Sequence, residues 1–347
     1  MNKDVKVLLV GDDTFDIYVN AFYRAYIQEG YSNTQLFATN RCLNIPNKGL
    51  MNIIKRAENK LAYGPHIAHV NFELLKKIDE VKPQLVFLYT ARLIFAKTIA
   101  QIKKRGITVF VYNNDDPFGT YFPKYFWRHY IRGLKYADWG FVYRLKNIPE
   151  YKEKGCCNVE LLRSYYIKDR NYYLPEPAID VPEVLFLGHH EDDEREDYIK
   201  ALLDEKIKVG ITKKNWEEFE EDNPYLVKLE DAHTLYNEML NATEIAIVFL
   251  SKINNDTYTR RCFEIPAVKT LMIAPYTEDI ASMFQENEEV VLYRNKKEFV
   301  EKIKYYLENQ AEREQIASAG YERLMKDGHE IQDRVRVVME RYEQCDS

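Results

Sequence analysis

The sequence predicts an α/β protein built from two Rossmann-like, doubly wound domains facing each other across a cleft. Short β-branched apolar runs alternate with helical patterns along most of the chain, as parallel strands with helical crossovers require. The alternation is broken once, by a loop from Tyr172 to Pro182 that contains Pro175, Pro177 and Pro182, and then restarts. A length of 347 residues is enough for two ordinary cores. A single large sheet is the alternative. The expected division is residues 1–176, residues 177–325, and a C-terminal helix, 326–347, crossing back to brace the first domain.

The first half opens with an apolar strand, Val5 to Val10, that ends in Gly11-Asp12-Asp13 and is followed by a helical pattern from Phe15 to Gln28 stopping at Gly30. Phe72 to Val81 then reads as a helix, Leu85 to Tyr89 as a strand, Leu93 to Arg105 as a helix closed by Gly106, and Thr108 to Tyr112 as a strand. A helix near Tyr125 to Leu134 and short strands at Trp139 to Tyr143 and Val159 to Leu162 complete this half. The second half repeats the order. Strand Val184 to Leu187 runs into Gly188-His189-His190, followed by helix Glu194 to Glu205, strand Lys208 to Ile211, helix Ala232 to Asn241 and strand Ile245 to Leu250. Helix Glu264 to Val268 and strand Leu271 to Ala274 follow, and helices from Lys297, Ala311 and Glu330 finish the chain.

Composition narrows the class. Hydrophobic residues are 46% and charged residues 30% of the chain, a globular balance that argues against disorder. The apolar runs are far too short to span a bilayer, and the N-terminus lacks a basic region followed by an apolar one. Five cysteines in no metal-type spacing suit reduced thiols, so a cytoplasmic location is expected. The net charge of −6 hides a division. Residues 1–176 hold 27 Lys+Arg against 17 Asp+Glu, and the remainder holds 22 against 38. A basic first half suits an anionic partner, either phospholipid at the inner face of the plasma membrane or a lipid-linked phosphate. Tyr121 to Tyr136 interleaves aromatic rings with Lys124, Arg128, Arg132 and Lys135. Core packing suits most of its rings, while the cations suit a membrane surface. No nucleic-acid-binding module accompanies it, so nucleic acid is not an expected partner.

The densest chemical segment is Asp256 to Ala267, DTYTRRCFEIPA. It falls between an apolar strand and a helix start, which places Arg260 and Arg261 where backbone N–H groups and the positive helix end converge. An arginine fork binds phosphate oxygens two at a time, and a neighbouring carboxylate can accept hydrogen bonds from ribose hydroxyls, so a nucleoside diphosphate fits this turn. Gly188-His189 ends the first strand of the second half, where its backbone can face a diphosphate or a transferring sugar. Arg195 lies on the helix that follows. A capped turn, with Asp193 as N-cap and Arg195 paired to Glu191 or Glu194, is the competing reading.

Asp256 and Glu264 are separated by seven residues, and this spacing resembles the E-x7-E motif of nucleotide-sugar-dependent glycosyltransferases of the GT-B fold, with Asp in the first position. Together with Leu271-Met272-Ile273-Ala274, Thr277-Glu278-Asp279, Arg313, Gly320-Tyr321, His329 and Gly188-His189-x-Glu191-x-Asp193-x-Arg195, the segment resembles the C-terminal domain of the CgeB-like glycosyltransferases, named for a spore maturation protein. The resemblance covers most of residues 184–340 and is thinner before them, at Asn71, Lys82-Pro83 and Asn114-Asp115-Asp116-Pro117. Similar proteins carry small residues, often glycine, after the Pro-Ala, where this chain has Val268-Lys269-Thr270.

The resemblance implies a donor domain. Glu264 would hold the ribose of a nucleoside diphosphate sugar, and Arg260 or Arg261 the phosphates. Gly188, Arg195, Asp256 and Tyr258 complete the expected donor set, and His189 joins the catalytic candidates. Two acidic loops of the first half supply the others. Asp13 follows the first strand and is a candidate general base if the reaction inverts configuration, with His66 of Gly64-Pro65-His66 a further candidate. In Asp115-Asp116, adjacent side chains on an extended chain point opposite ways, so the pair does not grip one metal ion, and one carboxylate, taken as Asp116, faces the acceptor while the other caps the loop. The expectation is a retaining, metal-independent hexosyltransferase with no cofactor beyond its nucleoside diphosphate sugar, acting on a glycan or lipid-linked acceptor in surface polysaccharide or glycoconjugate synthesis. A nucleotide-sugar epimerase or hydrolase of the same fold, or a non-catalytic glycan-binding module, are the alternatives.

Overall fold

The structure, a computed structural model, describes residues 2–219 and 221–346. The chain divides into two compact units, Met1–Ser164 with Ile331–Ser347, and Tyr165–Glu330. The prolines of the sequence place the first boundary at residue 176, whereas the compact units part between Ser164 and Tyr165. The difference has a local cause: backbone N–H groups of Tyr172 and Leu174 donate to the side chains of Asn237 and Asn241 at 3.0 and 2.6 Å, which ties the segment before the prolines to the second unit.

In the first unit β1 (Val7–Gly11) leads to α1 (Val19–Gln28), β2 (Thr34–Ala38), α2 (Thr39–Leu43), α3 (Leu50–Leu61), α4 (Pro65–Val81) and β3 (Leu85–Tyr89). Then come α5 (Ala96–Lys104), β4 (Thr108–Asn113), α6 (Arg128–Gly133), β5 (Trp139–Val142), α7 (Asn147–Glu153) and β6 (Val159–Leu161). The strands form a parallel sheet of order β2-β1-β3-β4-β5-β6, in which Val7 is opposite Thr34 on one side and Leu85 on the other. Every residue of β1 and β3 is buried, the pattern of strands covered by helices on both faces. Helix α1 starts at Val19 and not Phe15, because Phe15 is exposed and residues 15–18 form a turn closed by Tyr18 N–H to Phe15 O. Helix α4 begins seven residues before Phe72, at Pro65, after Gly64 at φ 137°. Its His66 is tied to Glu58 through both its N–H and its ring. In the aromatic segment Trp127 and Tyr130 are buried, Phe122 stacks on Phe126, and Tyr121 is exposed.

In the second unit β7 (Val184–Phe186) is followed by α8 (Arg195–Asp204), β8 (Val209–Thr212), β9 (Leu226–Leu229), α9 (Tyr236–Ala242), β10 (Ile245–Ile247) and α10 (Arg261–Ala267). Next are β11 (Leu271–Pro275), α11 (Glu278–Met283), β12 (Val291–Tyr293), α12 (Lys296–Glu308) and α13 (Gln310–Asp327). This sheet is also parallel, in the order β12-β11-β10-β7-β8-β9. Strand order therefore reverses between β7 and β10, and the carboxyl ends of those two strands flank the crevice where doubly wound sheets take their ligands. Helix α10 begins at Arg261, three residues before Glu264, because the Thr259 hydroxyl accepts the Arg261 N–H at 3.2 Å and starts the turn early.

The last helix, α14 (Ile331–Asp346), belongs to the first unit. Arg334, buried, donates to the carbonyls of Arg163 and Ser164, and Arg336 pairs with Glu29 at the end of α1. All five cysteines are free thiols.

Close packing of α13 predicts a sign reversal at Gly320. Glycine to alanine inside a helix ordinarily stabilises by about 0.5–1 kcal/mol. Here the added methyl would lie 2.3 Å from the carbonyl oxygen of Glu289, so Gly320→Ala is expected to lower stability by about 1–3 kcal/mol. Urea unfolding followed by circular dichroism measures it, and a raised midpoint contradicts the packing.

Candidate functional site

Three segments of the second unit meet at the reversal point of its sheet. Strand β7 runs into Leu187-Gly188-His189, β8 ends at Thr212, and the loop after β10 delivers the start of α10. The Arg261 side chain crosses from α10 to the end of β7, where its Nε donates to Leu187 O at 2.8 Å. Its guanidinium lies 5.6 Å from the Phe186 ring centre. Glycine at 188 is what admits it, since a Cβ there would be 2.8 Å from Arg261 Nη2 and 2.4 Å from Phe186 Cζ. From the other side Trp216 Nε1 and Thr212 Oγ1 donate to Gly188 O at 2.9 and 3.2 Å. Among the described residues no carboxylate pairs with Arg261, so its charge stays uncompensated.

The neighbouring arginines have different tasks. Arg260 lies over the Tyr165 ring at 4.5 Å. Arg195 is 4% exposed, and its guanidinium is spent inside the protein. It donates to both Asp193 oxygens, to His189 O and to Leu250 O, and pairs with Glu191 at 3.3 Å. It therefore staples the loop after β7 to the loop after β10, and Asp193 acts as its partner while Glu194 holds the N-cap position. Lys269 has φ 59°, the left-handed conformation that explains why glycine suits this place after the helix. Its ammonium lies between the rings of Tyr173 and Tyr321, 5.0 and 4.7 Å from their centres.

Glu264 occupies the first turn of α10 and is 6% exposed. The Tyr236 hydroxyl donates to its Oε2 at 2.9 Å, while Oε1 has no hydrogen-bond partner among the described residues. Burial and the Glu264 charge push the Tyr236 hydroxyl well above the ordinary tyrosine range, so it remains a donor at any working pH. Nothing in the sequence pointed to Tyr236, which enters from α9, 28 positions away. Tyr258 is fully buried against Phe263 and in this conformation turns no surface outward. Asp256 accepts no helix role. It lies in the loop, with its N–H on Ser251 O, and lines a cavity of about 520 Å³ with Asp193, Arg195, Tyr198, Lys252 and Tyr293. Thr257 and Thr277 pin that loop to α11 through Asp279 Oδ2 and Thr257 O.

His189 is exposed at the rim of this site. Partial desolvation lowers its pKa, and the Arg261 cation lowers it further, so the imidazole is neutral at pH 7. His190 is turned away, bonded to Glu196 at 2.7 Å and edge-on to Trp216.

The two acidic candidates of the first unit are both engaged. The Asp13 carboxylate is buried and ion-paired with Arg41, and Asn40 and Asn20 hold its backbone. Asp116 is buried and is the loop cap: Oδ1 accepts from Phe118 N–H and Asn147 Nδ2, and Oδ2 pairs with Lys146 at 2.6 Å. The assignment of roles within the pair is thereby corrected, since Asp115 is the carboxyl left beside Arg144, its pKa raised by burial. Among the described residues no group of three or more His, Cys, Asp or Glu side chains could hold a metal ion.

Residues 191–340 match the model of a glycosyl transferase-like family. No curated protein sequence matches the chain. Among solved structures the chain is similar to a glycosyltransferase from Rickettsia africae, with a TM-score of 0.70 at 11% identity over 98% of both chains. It is similar to sucrose-phosphate synthase from Thermosynechococcus elongatus, with a TM-score of 0.69 at 11% identity over 98% of both. Anabaena Alr3699/HepE, solved in complex with UDP and glucose, gives 0.69 at 8% identity over 98% of this chain and all of that one. The two parallel sheets, one with order β2-β1-β3-β4-β5-β6 and one reversing at β7 and β10, are those of the GT-B fold.

The Arg261 cation is expected to govern the titration of His189. In Arg261→Gln the imidazole midpoint should rise toward the ordinary value of about 6.5, because a positive neighbour that disfavoured protonation is gone. Proton NMR titration of the His189 ring reads it, and an unmoved midpoint would mean the two groups do not interact.

Proposed function

We propose that the chain is a glycosyltransferase that takes a sugar from a nucleoside diphosphate sugar and places it on a glycan or lipid-linked acceptor in surface polysaccharide or glycoconjugate synthesis. The observation that carries this reading is the convergence of an unpaired Arg261, Gly188 and a half-satisfied Glu264 at the reversal point of a parallel sheet. It lies within the segment that matches the glycosyl transferase-like model. The UDP in the HepE structure supports a nucleoside diphosphate as the ligand.

In this reading the Arg261 fork meets the diphosphate beside the Gly188 backbone, and Glu264 Oε1 accepts a ribose hydroxyl while Tyr236 fixes the other carboxylate oxygen. Transfer breaks the bond between the sugar's anomeric carbon and the β-phosphate oxygen, whose electron pair leaves with the diphosphate. The acceptor hydroxyl attacks the anomeric carbon from the face that the diphosphate leaves, and its proton passes to the departing phosphate, so configuration is retained without an enzyme nucleophile. Arg261 stabilises the developing charge without a metal ion. The neutral His189 at the rim offers a hydrogen-bond acceptor to the sugar. Asp13 and Asp116, both ion-paired, are assigned to loop structure and not to proton transfer. The basic first half favours an anionic acceptor, at the inner face of the plasma membrane.

A thermal-shift panel of UDP, GDP, dTDP, ADP and CMP tests the donor. One of the diphosphates at ~100 times its dissociation constant adds about 2.7 kcal/mol of stability. Arg261→Ala is expected to lower kcat/KM by roughly 10²–10³ with the fold retained, and Glu264→Ala to raise the KM for the donor. No nucleotide stabilisation together with full activity in both variants would overturn the site. Release of sugar in a donor-only incubation would instead make the chain a hydrolase, and conversion of the donor to an epimeric nucleotide sugar would make it an epimerase.

A further inference from the structure

Helix α3 is built inside out. Its residues Leu50, Ile53, Ile54, Ala57 and Leu61 recur at helical spacing on one face, and all are exposed, Leu50 at 73% and Ile53 at 66%. No residue of the helix is buried. The opposite, inward face is polar and hydrogen-bonded. Asn52 donates to Pro46 O, and Lys55 Nζ donates to Leu43 O and Asn44 O at 2.7 and 3.0 Å. Glu58 receives the N–H of His66, and Asn59 receives both Nη atoms of Arg92 at 2.7 and 2.8 Å. A helix meant for water carries the reverse arrangement, so the outward face is shaped for an apolar phase.

Charge selects which phase. Arg56 and Lys60 flank the apolar stripe and are exposed, as is Lys48 ahead of the helix. At the far end Arg128 donates to Leu61 O and covers the exposed Tyr63 ring at 5.3 Å. Residues 1–176 as a whole carry the basic surplus. Twelve residues make a helix of roughly 18 Å, too short to cross a bilayer but suited to lie within its surface.

We propose that α3 is an interfacial membrane helix, lying in the plane of an anionic lipid surface with Leu50, Ile53, Ile54 and Leu61 among the acyl chains and Arg56 and Lys60 at the headgroup phosphates. The inference stands apart from catalysis, because lipid binding is read without donor or acceptor.

Flotation with vesicles of equal parts phosphatidylglycerol and phosphatidylcholine, against phosphatidylcholine alone, tests it. The wild type should float with the anionic vesicles, and less so as salt rises. Leu50→Ser with Ile53→Ser and Leu61→Ser should lose roughly tenfold or more in partitioning while the thermal midpoint is unchanged, since all three side chains are exposed. Arg56→Gln with Lys60→Gln should weaken binding and flatten its salt dependence. Three results would overturn the proposal: a wild type that ignores anionic vesicles at low salt, a serine variant that floats as well as the wild type, or a dimer by sedimentation that becomes a monomer in the serine variant while neither binds lipid.

Discussion

The candidate site depends on one close approach, that of the Arg261 side chain to the peptide at Gly188. Its Nε bond to Leu187 O fixes the first residue of α10 to the end of β7, and Trp216 and Thr212 seize the Gly188 carbonyl from the side of β8. Two strands and a helix start are locked together on the two peptides that flank Gly188, and the lock needs a residue with no side chain there. The positions of Glu264, three residues along α10, and of His189, one residue past the glycine, follow from it. Arg195 reinforces the arrangement from below by joining the loops after β7 and β10, which is why a buried guanidinium is tolerated there: its donors meet carboxylates and carbonyls on every side.

The alternation of strands and helices was legible because parallel strands are buried on both faces and read as unbroken apolar runs. Val7–Gly11, Leu85–Tyr89 and Leu271–Pro275 are of this kind. Among the elements that escaped are some with little burial, although the short strand β12, which is buried throughout, was missed as well. Strand β2 lies at a sheet edge with only Thr34 buried, β9 at another edge has no buried residue, and α3 presents its apolar residues outward, against the rule by which an amphipathic pattern is interpreted. Helix starts were displaced by local contacts of different kinds: the Thr259 hydroxyl at α10, a backbone turn before α1, and Gly64-Pro65 at the start of α4.

The chemistry of the turn was legible from residue types, while the division of labour among like residues was not. Arg195, Arg260 and Arg261 are indistinguishable as letters. Only geometry separates a staple held by Asp193, a cation packed on Tyr165 and a guanidinium without a carboxylate. The same holds for Asp115 and Asp116, where Lys146 and Asn147, 30 and 31 positions away, decide which carboxylate caps the loop. Tyr236 could not be found from sequence at all, because its role is defined by a partner on another helix.

Residues 177–347 are strongly acidic, with 22 basic against 38 acidic residues, yet the proposed ligand of this half is a polyanion. Screening reconciles the two. At physiological ionic strength the Debye length is about 8 Å, so most of those carboxylates are not felt at the β7 end. Locally the pairing of charges matters more than their sum. Arg195 is more than balanced by Asp193 and Glu191, whereas among the described residues Arg261 has no carboxylate partner, so the cation left for a ligand is that of Arg261. An anion held there must reach Arg261 and offer something to Glu264 as well, which a free phosphate cannot do and a ribose-bearing diphosphate can.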